Sequence, residues 1–426
     1  MKEPKVRGDK PRVYLIDVTN RDGVQTANIG LSKLQKTMLN HYLDQMGIFQ
    51  SEFGFPALEH ETNYINANLD LEKKGFFENI RLEGWVRATV EDVHKALKLT
   101  KVEHLNLSIS TSLIMTVGKF GNKMNRDDIL KMMTEAVDAA REAGVKTIGV
   151  NAEDASRTAA EREDHGYDED YLLKFALAAK QHGADRIRYC DTLGYDRANS
   201  IYDSVYMLAK EVQLPIELHC HNDTGYAVAN SVEGAMGALD AGVDAYINVT
   251  VNGMGERAGN ADLVSVILAL TKSRGLRNRD ILDPNVDLTM AWKISNYVAR
   301  SFGVPIPINQ VGVGSNAFAH ESGIHADGIL KDRKNYEIYS PEDLGIPSEL
   351  TLESGRIITT GEYGGMKGLR HVFEKMGMDI PVEHERRLLH LVQLATAHNQ
   401  KPLLPDELRF IAEYPDEAAK IMTVTP

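Results

Sequence analysis

The chain has 426 residues, of which 43% are hydrophobic and 26% are charged, and its formal net charge is −13 at pH 7. This composition is typical of a soluble globular protein with a substantial core, and the acidic charge argues against charge-driven binding to nucleic acid or an anionic membrane. No run approaches the roughly 18 apolar residues of a membrane span, and the charged start MKEPKVRGDKPR lacks the apolar core of a signal peptide. With only two cysteines, Cys190 and Cys220, we expect no disulfide scaffold and a cytoplasmic protein.

Eight short apolar runs alternate with longer segments whose apolar residues have helical spacing. The runs are 13–16 (VYLI), 51–55 (SEFGF), 82–88 (LEGWVRA), 104–110 (HLNLSIS), 146–150 (KTIGV), 186–190 (RIRYC), 215–221 (PIELHCH) and 245–251 (AYINVTV). Segments such as 129–143 and 168–183 show the 3.6-residue period and have a glycine at or near their end. Eight strand-and-helix units within roughly 250 residues predict a closed (β/α)8 TIM barrel of parallel strands. An open, doubly wound sheet is the structural alternative.

The alternation stops near 274–284 (RGLRNRDILDP), which we interpret as a linker. The segments after it are mostly helical in pattern, apart from a Gly/Ser loop at 312–315. We therefore expect an α/β fold with a barrel domain over 1–275 and a smaller, mostly helical C-terminal region over 276–426.

Polar side chains concentrate at or just after the ends of the predicted strands, instead of being spread over both ends. The carboxyl ends of the strands form the catalytic face of a TIM barrel, so we expect the active site there. In chain order these residues are Arg21, Asp22, Glu52, Arg87, Ser108, Ser110, Glu153, Asp154, Arg157, Asp191, Thr192, Glu217, His219, His221 and Asn260.

The most specific local feature is the sequence His219-Cys220-His221. Residues i and i+2 of a strand face the same side, so both imidazoles can point into the barrel mouth. Taken alone, such a sequence is more often incidental than a metal site, but a closed barrel also brings Asp22 within reach. One carboxylate and two imidazoles suit Mn²⁺, which we expect first, and also Co²⁺, Zn²⁺, Fe²⁺ or Mg²⁺. The open positions on the ion could take a 2-oxo acid, whose keto group the metal would polarise.

Other polar features have two interpretations. The segment 253–260 (GMGERAGN) is not a GxGxxG pattern and follows the last strand, so we expect a tight loop that places Asn260 near the ion instead of a dinucleotide site. Arg21 is either a surface salt-bridge partner or a group that faces a substrate oxygen, and its position beside Asp22 favours the second. His320 and His325 are five residues apart, a spacing that by itself assigns them no role.

Six ordered motifs resemble those of the DRE-TIM metalloenzyme superfamily, in its Claisen-condensing branch of isopropylmalate, citramalate, homocitrate and Re-type citrate synthases. The motifs are NRDGVQ, EDASRT, DTLG, HCHNDTG, GMGERAGN and NAFAHESGIHADG, and the resemblance spans about residues 13 to 345. It implies a TIM-barrel enzyme that condenses acetyl-CoA with a 2-oxo acid. By position it implies that Asp22, His219 and His221 bind the metal, with Asn260 on or near the ion.

The resemblance also implies roles for residues around the metal. Arg21 would stabilise the keto oxygen. The predicted substrate contacts, to which we add Arg87 at the third strand end, are Arg21, Glu52, Arg87, Thr192 and Glu217. The predicted acid–base group around the acyl-CoA methyl consists of Glu153, His325 and Tyr336. In relatives this histidine and tyrosine come from the partner subunit, so we expect a domain-swapped homodimer in which the C-terminal region contributes to the acyl-CoA site.

The choice of 2-oxo acid depends on finer motifs. Isopropylmalate synthases carry the motif TSxxH, and this chain has Met115 in place of that histidine. Lysine-pathway homocitrate synthases carry an arginine and a histidine at the positions where this chain has Gly149 and Thr89. The opening DVTNRDGVQT and the segment QSEFGFP look most like the Re-type citrate synthases, which implies oxaloacetate as acceptor. Homocitrate, isopropylmalate or citramalate synthase is the alternative. An acyl-CoA lyase is less favoured because the loop 253–260 has no cysteine, and a non-catalytic barrel is opposed by the intact set of site residues.

Overall fold

The computed structural model describes residues 10–121, 123–165, 170–347, 357–358, 363–399, 403, 405–413 and 415–422. The chain divides into two compact units, Met1–Ile306 and Pro307–Pro426. The first unit contains a closed barrel of eight parallel strands surrounded by helices, which confirms the predicted (β/α)8 TIM barrel.

The barrel strands follow one another in chain order. They are β1 (Val13–Asp17), β2 (Gln50–Gly54), β3 (Arg81–Arg87), β4 (His104–Ser110), β5 (Thr147–Glu153), β6 (Arg186–Asp191), β7 (Ile216–Cys220) and β8 (Ala245–Val249). Strand β1 pairs with β2 and also with β8, where Val13 lies opposite Ala245 and Asp17 opposite Val249. This pairing of the first strand with the last closes the sheet and excludes the open, doubly wound alternative.

Helices follow the strands and cover the outside of the barrel. Those described in the first unit are α1 (Lys33–Gln45), α2 (Thr62–Lys73), α3 (Val90–Leu99), α4 (Leu113–Phe120), α5 (Arg126–Glu142), α6 (Ala155–His165), α7 (Tyr171–Gln181), α8 (Ala198–Val212), α9 (Ala227–Asp240), α10 (Leu263–Lys272) and α11 (Ala291–Phe302). The local sequence sets the residue at which several of these helices begin. Ser32 and Gln35 form a capping box at the start of α1, and Asn125 and Asp128 form one at the start of α5.

The segment 274–284, predicted to be a linker, lies against the barrel. Val13 N donates a hydrogen bond to Ile281 O at 2.8 Å. Farther along, Asn252 Nδ2 donates to Ser295 O in α11 at 2.9 Å. The first unit therefore continues to Ile306, past the boundary at residue 275 expected from the sequence, because the buried apolar face of α11 belongs with the barrel.

The second unit is mostly helical, as expected. Its elements are β9 (Ala319–His320), α12 (Gly323–Lys331), β10 (Ile357–Ile358), α13 (Met366–Lys375), α14 (Val382–Asn399), α15 (Pro405–Glu413) and α16 (Pro415–Met422). Strands β9 and β10 pair in parallel. The last four helices share an apolar cluster that includes Leu369, Phe373, Leu391 and Leu408.

Cys190 and Cys220 are both free and buried. Burial raises the pKa of both thiols well above the ordinary value, so they are protonated, small core groups at neutral pH. None of the helices in the described part of the chain has the length and apolar character needed to cross a membrane.

Helices α8 and α9 approach each other closely because of a glycine in α9. A Cβ placed on Gly237 would lie 2.6 Å from Tyr202 O and 3.1 Å from Tyr206 N, both in the backbone of α8. Real side chains do not tolerate such distances, so the two helices would have to separate.

We predict that Gly237→Ala lowers the free energy of unfolding by roughly 1–3 kcal/mol, because overpacking outweighs the gain of about 1 kcal/mol in helix propensity. Urea unfolding measures this change. Gly118→Ala in α4 is the matched control, since a Cβ there meets nothing within 4 Å, and it should leave stability unchanged or raise it. Equal effects of the two substitutions would contradict the prediction.

Candidate active site

The chain turns sharply after β1, and the buried residues Asp17 and Thr19 hold this turn. The Asp17 carboxylate accepts hydrogen bonds from Thr19 N at 2.9 Å and from Thr19 Oγ1 at 2.8 Å. Thr19 Oγ1 in turn accepts from Val251 N, just after β8, at 2.9 Å. Asp22 N then donates to Val18 O at 2.7 Å as a 3-10 helix begins. The turn that carries Asp22 is therefore tied to the end of β8.

The carboxylate of Asp22 meets two imidazoles at the end of β7. Asp22 Oδ2 lies 3.0 Å from His219 Nε2 and 3.7 Å from His221 Nε2. One possible ligand atom from each residue lies within 4.8 Å of the others, and all three side chains are buried. Asn260 Nδ2 donates to Asp22 Oδ2 at 3.3 Å. The structure thus brings together the four residues predicted to bind metal, which we call the Asp22 cluster.

A buried asparagine orients one of the imidazoles. Asn248 Nδ2 donates to Glu217 Oε1 at 2.7 Å, so the amide oxygen of Asn248 faces His219 Nδ1, 3.0 Å away. His219 Nδ1 must then carry the proton, which leaves the lone pair on Nε2 directed at Asp22. Metal-binding histidines are commonly held in this way by a neighbouring acceptor.

Neighbouring groups also set the charge of the Asp22 cluster. Burial favours the neutral form of Asp22, but the neighbouring guanidinium of Arg21 outweighs burial and holds the pKa of this carboxyl well below its usual range. Burial lowers the pKa of His221 to about 3. An ionised carboxylate and a neutral imidazole are the forms that ligate metal ions.

Two buried atoms of the Asp22 cluster have no hydrogen-bond partner among the described residues, Asn260 Oδ1 and His221 Nδ1. Unpartnered buried polar atoms are rare and commonly face a bound ion, water or ligand. A carboxylate oxygen, two imidazole nitrogens and an amide oxygen form a mixed donor set that divalent Mn, Co and Zn accept. The residues present therefore fit a divalent metal ion.

A network of buried ion pairs fills the barrel interior next to the Asp22 cluster. It consists of three arginines and three glutamates, namely Arg21, Glu52, Glu83, Arg186, Arg188 and Glu217. Arg188 Nη2 contacts Glu52 on β2 and Glu217 on β7. Strands β2 and β6 are not neighbours, so this contact crosses the interior. Arg21 Nε donates to Glu52 Oε1 at 2.5 Å, and Arg21 Nη1 lies 3.2 Å from Asp22 Oδ2, which fixes Arg21 beside the cluster.

The three glutamates of this network differ in their protonation states. Burial raises the pKa of Glu83 to about 7, against the opposing effect of Arg186. Burial acts in the same direction on Glu52 and Glu217, but the arginines outweigh it, so the pKa of Glu52 lies below its ordinary value and that of Glu217 falls to about 2. The three carboxylates lie close enough together to hold a metal. We do not assign one there because the guanidinium groups already neutralise them.

Glu153 lies at the end of β5 with a partly exposed carboxylate. Ser110 Oγ donates to its Oε2 at 2.5 Å, and Lys119 Nζ donates to both carboxylate oxygens at 2.6 and 2.7 Å. The next residue, Asp154, has a φ of 65° and donates its N–H to Thr192 Oγ1 at 2.9 Å. Glu153 and Thr192 are therefore held at neighbouring strand ends of the barrel mouth.

Three other predicted site residues have exposed side chains. The side chain of Arg87 is 68% exposed, and its Nε and Nη2 donate to Asp92 at 2.7 and 2.8 Å. His325 and Tyr336 belong to the second unit, where their rings stack with centroids 4.1 Å apart. Both are exposed in the single chain.

Sequence reasoning missed Glu83, Arg186, Arg188, Asn248 and Lys119. A signal was present in the run RIRYC, where Arg186 and Arg188 alternate with apolar residues and therefore face the same side of a strand. Barrel interiors are usually filled by branched apolar side chains. Two inward arginines next to the strand of His219 thus predict charged partners inside the barrel.

Two protein families match the chain. Residues 12–298 match the family model described as HMGL-like, and this match covers more than half of the chain. The chain belongs to the HMGL-like family. Residues 313–400 of this HMGL-like protein match the model described as Homocitrate synthase post-HMGL domain-like. Both matches agree with the resemblance drawn from the motifs.

Curated relatives cover nearly the whole chain. The chain is 52% identical over 418 residues to "Citrate (Re)-synthase" of Dehalococcoides mccartyi, which covers 97% of this chain and 99% of that protein. It is 38% identical to "2-isopropylmalate synthase 2" of Caldanaerobacter subterraneus subsp. tengcongensis, covering 95% of this chain and 96% of that one. It is 32% identical to "Homocitrate synthase 1" of Nostoc sp., covering 93% and 96%.

Solved structures share the fold. Hydroxymethylglutaryl-CoA lyase from Pseudomonas aeruginosa matches with a TM-score of 0.53 and 17% identity, covering 70% of this chain and 95% of that one. The HMG-CoA lyase from Brucella melitensis matches with a TM-score of 0.52 and 16% identity, covering 69% and 99%. At such identities the likeness shows the HMGL-like barrel fold alone.

The turn after β1 leads to a pH-dependent prediction. Burial outweighs the two hydrogen bonds from Thr19 and raises the pKa of Asp17 from 3.8 to about 7. The folded protein therefore holds a proton that the unfolded chain releases between about pH 4 and 7, so this carboxyl makes the fold less stable as pH rises through that window.

We predict that Asp17→Asn, which does not titrate, gains stability relative to the wild type from pH 4 to pH 8, by on the order of 1 kcal/mol per pH unit within the window. Urea unfolding at several pH values measures the difference. The same substitution at Asp203, an exposed residue of α8, controls for the loss of one charge. A difference between Asp17→Asn and the wild type that does not vary with pH would refute the prediction.

Proposed function

We propose that this protein is an acyltransferase that condenses acetyl-CoA with oxaloacetate to give citrate and CoA, as a Re-type citrate synthase. The observation that carries the proposal is the 52% identity to "Citrate (Re)-synthase" over almost the full length of both proteins. The Asp22 cluster at the barrel mouth supports a 2-oxo acid as the acceptor, since chelation by such a site suits adjacent carboxylate and keto oxygens.

A second candidate is an isopropylmalate, citramalate or homocitrate synthase, which the 38% and 32% identities to such relatives support more weakly. The packing around Gly149 argues against the lysine-pathway homocitrate type, which carries an arginine at this position. A Cβ on Gly149 would lie 2.6 Å from Asn106 Nδ2 and 3.3 Å from Arg186 Nε. No larger side chain fits there without displacing these two residues.

The proposed metal ligands are Asp22, His219 and His221, with Asn260 at the ion, and the proposed metal is Mn²⁺. Co²⁺, Zn²⁺ and Mg²⁺ are compatible with the donors. When bound, a divalent ion supplies Lewis-acid polarisation of the keto group. The support is the convergence of the three ligand atoms within 4.8 Å and the unpartnered amide oxygen of Asn260.

The remaining chemistry is proposed for the side chains of the protein. Glu153 and His325 act as the base that removes a proton from the acetyl methyl group, with Tyr336 beside the histidine. The resulting enolate carbon attacks the keto carbon of the acceptor. The N–H groups of Arg21, held by Glu52, stabilise the alkoxide that forms, and water then hydrolyses the thioester.

Further substrate contacts are proposed at Thr192, Glu217 and Arg87. Glu217 accepts from Asn248, the residue that orients His219, and Thr192 directly follows β6 and accepts from Asp154 N. Arg87 is exposed and paired with Asp92. We propose that His325 and Tyr336 act in the partner subunit of a domain-swapped homodimer. Their exposure in the single chain leaves them available to a second copy. The two free cysteines support a reducing, cytoplasmic setting.

The test is an assay of CoA thiol release with acetyl-CoA, after EDTA treatment and re-addition of Mn²⁺. Oxaloacetate, 2-oxoglutarate, 2-oxoisovalerate and pyruvate are compared as acceptors. We expect metal-dependent release that is fastest with oxaloacetate. A preference for 2-oxoglutarate or 2-oxoisovalerate would make the protein a homocitrate or isopropylmalate synthase, and no release with any acceptor would contradict condensation.

The orientation of His219 gives a prediction about metal binding that is independent of turnover. Asn248→Ala removes the acceptor that keeps the lone pair of His219 on Nε2, so we expect the affinity for Mn²⁺ to fall by about 10- to 100-fold. Isothermal titration calorimetry measures the dissociation constant. Asn296→Ala in α11, whose Nδ2 donates to Trp292 O within the same helix, is the control and should bind Mn²⁺ as the wild type does. Unchanged affinity in Asn248→Ala would argue against the ligand assignment.

A further inference from the structure

Arg188 is a fully buried arginine, and one nitrogen of its guanidinium group has no hydrogen-bond partner among the described residues. Its Nε donates to Glu217 Oε1 at 2.7 Å, and its Nη2 contacts both Glu217 and Glu52. Its Nη1 is buried and has no hydrogen-bond partner among the described residues. A buried guanidinium N–H without an acceptor is costly, so Nη1 is a donor that an acceptor group of a bound ligand would satisfy.

The position of Arg188 relates it to the Asp22 cluster. In the pairing of β6 with β7, Arg188 lies opposite Glu217, and Cys190 lies opposite His219. Arg188 is therefore one inward-facing step below the metal-binding imidazole of β7, a rise of about 6.6 Å for two residues of a parallel strand. A chain of contacts joins the two levels, from Arg188 to Glu217, Asn248 and His219.

The residues beside Arg188 are polar, and two of them keep slight solvent access. Ser108, Asn151 and Arg188 lie side by side on β4, β5 and β6 and face the same way. Ser108 and Asn151 keep 9% and 5% exposure inside the barrel mouth, whereas Arg188 has none. A hydroxyl, an amide and a guanidinium thus line one side of the interior below the Asp22 cluster.

Stability alone does not account for these charges. A barrel interior is normally packed with branched apolar residues, and buried ion pairs are often no more stabilising than apolar residues of similar volume. Arg186 makes the same kind of contacts one step deeper, to Glu217 and Glu83. Among the described residues, Arg188 Nη1 is a buried nitrogen without an acceptor, and no nitrogen of Arg186 is in that state. Arg188 therefore differs from its neighbour in having a fully buried donor that is available to a ligand.

We propose that Arg188 binds the second carboxylate of a four-carbon 2-oxo diacid through Nη1, with Ser108 and Asn151 beside it, and so selects oxaloacetate over other 2-oxo acids. This inference rests on the proposed condensation with oxaloacetate. The four carbons of that acid are joined by three bonds of about 1.5 Å, so its carboxyl carbons lie about 4 Å apart. With its keto end at the Asp22 cluster, the distal carboxylate reaches toward the level of Arg188.

The test compares oxaloacetate with 2-oxobutyrate, which has a methyl group where oxaloacetate has its distal carboxylate. In Arg188→Gln we expect kcat/KM for oxaloacetate to fall by about 100-fold or more, mainly through KM, because a buried charge-assisted contact is lost. For 2-oxobutyrate we expect a much smaller fall, since that acceptor never used the contact and loses only the support that Arg188 gives to Glu52 and Glu217. Calorimetric dissociation constants of both acids with the Mn²⁺-loaded protein provide the same comparison without turnover.

Two further variants keep the test decisive. Arg188→Lys retains a charge to balance Glu52 and Glu217 but lacks the planar donor fork. We expect Arg188→Lys to show the same selective loss, and it replaces Arg188→Gln in the test if that variant does not fold. Arg186→Gln is the matched control for removing a buried arginine, and it should not change the ratio between the two acceptors.

The outcomes distinguish a failure of the proposed function from a failure of the proposed role of Arg188. A wild type that releases no CoA with oxaloacetate contradicts the proposed function. A wild type that uses oxaloacetate, together with Arg188 variants that lose both acceptors equally, contradicts this inference and makes Arg188 a structural part of the ion network. A collapse of the preference for oxaloacetate in the Arg188 variants alone supports it.

Discussion

The pairing of β1 with β8 is the constraint on which the site depends. In a flat eight-stranded sheet with strands about 4.8 Å apart, β1 and β7 would be separated by roughly 29 Å. Closure instead places Asp22 Oδ2, from the turn after β1, 3.0 Å from His219 Nε2 on β7. The hydrogen bond from Val251 N to Thr19 Oγ1 ties the two ends of the sheet together at the site itself. The same contacts therefore close the barrel and assemble the Asp22 cluster.

The charged interior follows from the needs of this cluster. Asp22, Arg21 and the two imidazoles are buried, so each must be held in one charge state and one orientation by its neighbours. Glu52 holds Arg21, and Asn248 holds His219. Asn248 in turn donates to Glu217, and the buried carboxylates of Glu52 and Glu217 require arginines, of which β6 supplies Arg188. The ion network thus extends the site downward into the barrel, where an ordinary member of this fold would have apolar packing.

The two units carry different parts of the proposed chemistry. The barrel holds the acceptor end, with its buried and preorganised groups, while the second unit carries the exposed and stacked His325 and Tyr336. Burial suits metal and keto-acid binding because charges act strongly there. Exposure suits groups that must meet a large thioester substrate and leave it again. The apolar cluster of the last four helices gives the second unit a core of its own.

The sequence by itself determined the barrel and the helical C-terminal region, and through the predicted barrel closure and the motif resemblance it identified the four residues of the Asp22 cluster. Strand periodicity, strand-and-helix alternation and the HxH spacing are local patterns, and such patterns can be recognised in a single sequence. The tertiary structure alone decided that Arg188 meets Glu52 across the barrel, that Asn248 orients His219, and that the first unit continues through α11. These contacts join residues far apart in the chain, and no spacing rule specifies them. Their geometry follows from the closure and shear of the barrel, which exist only once all eight strands have paired.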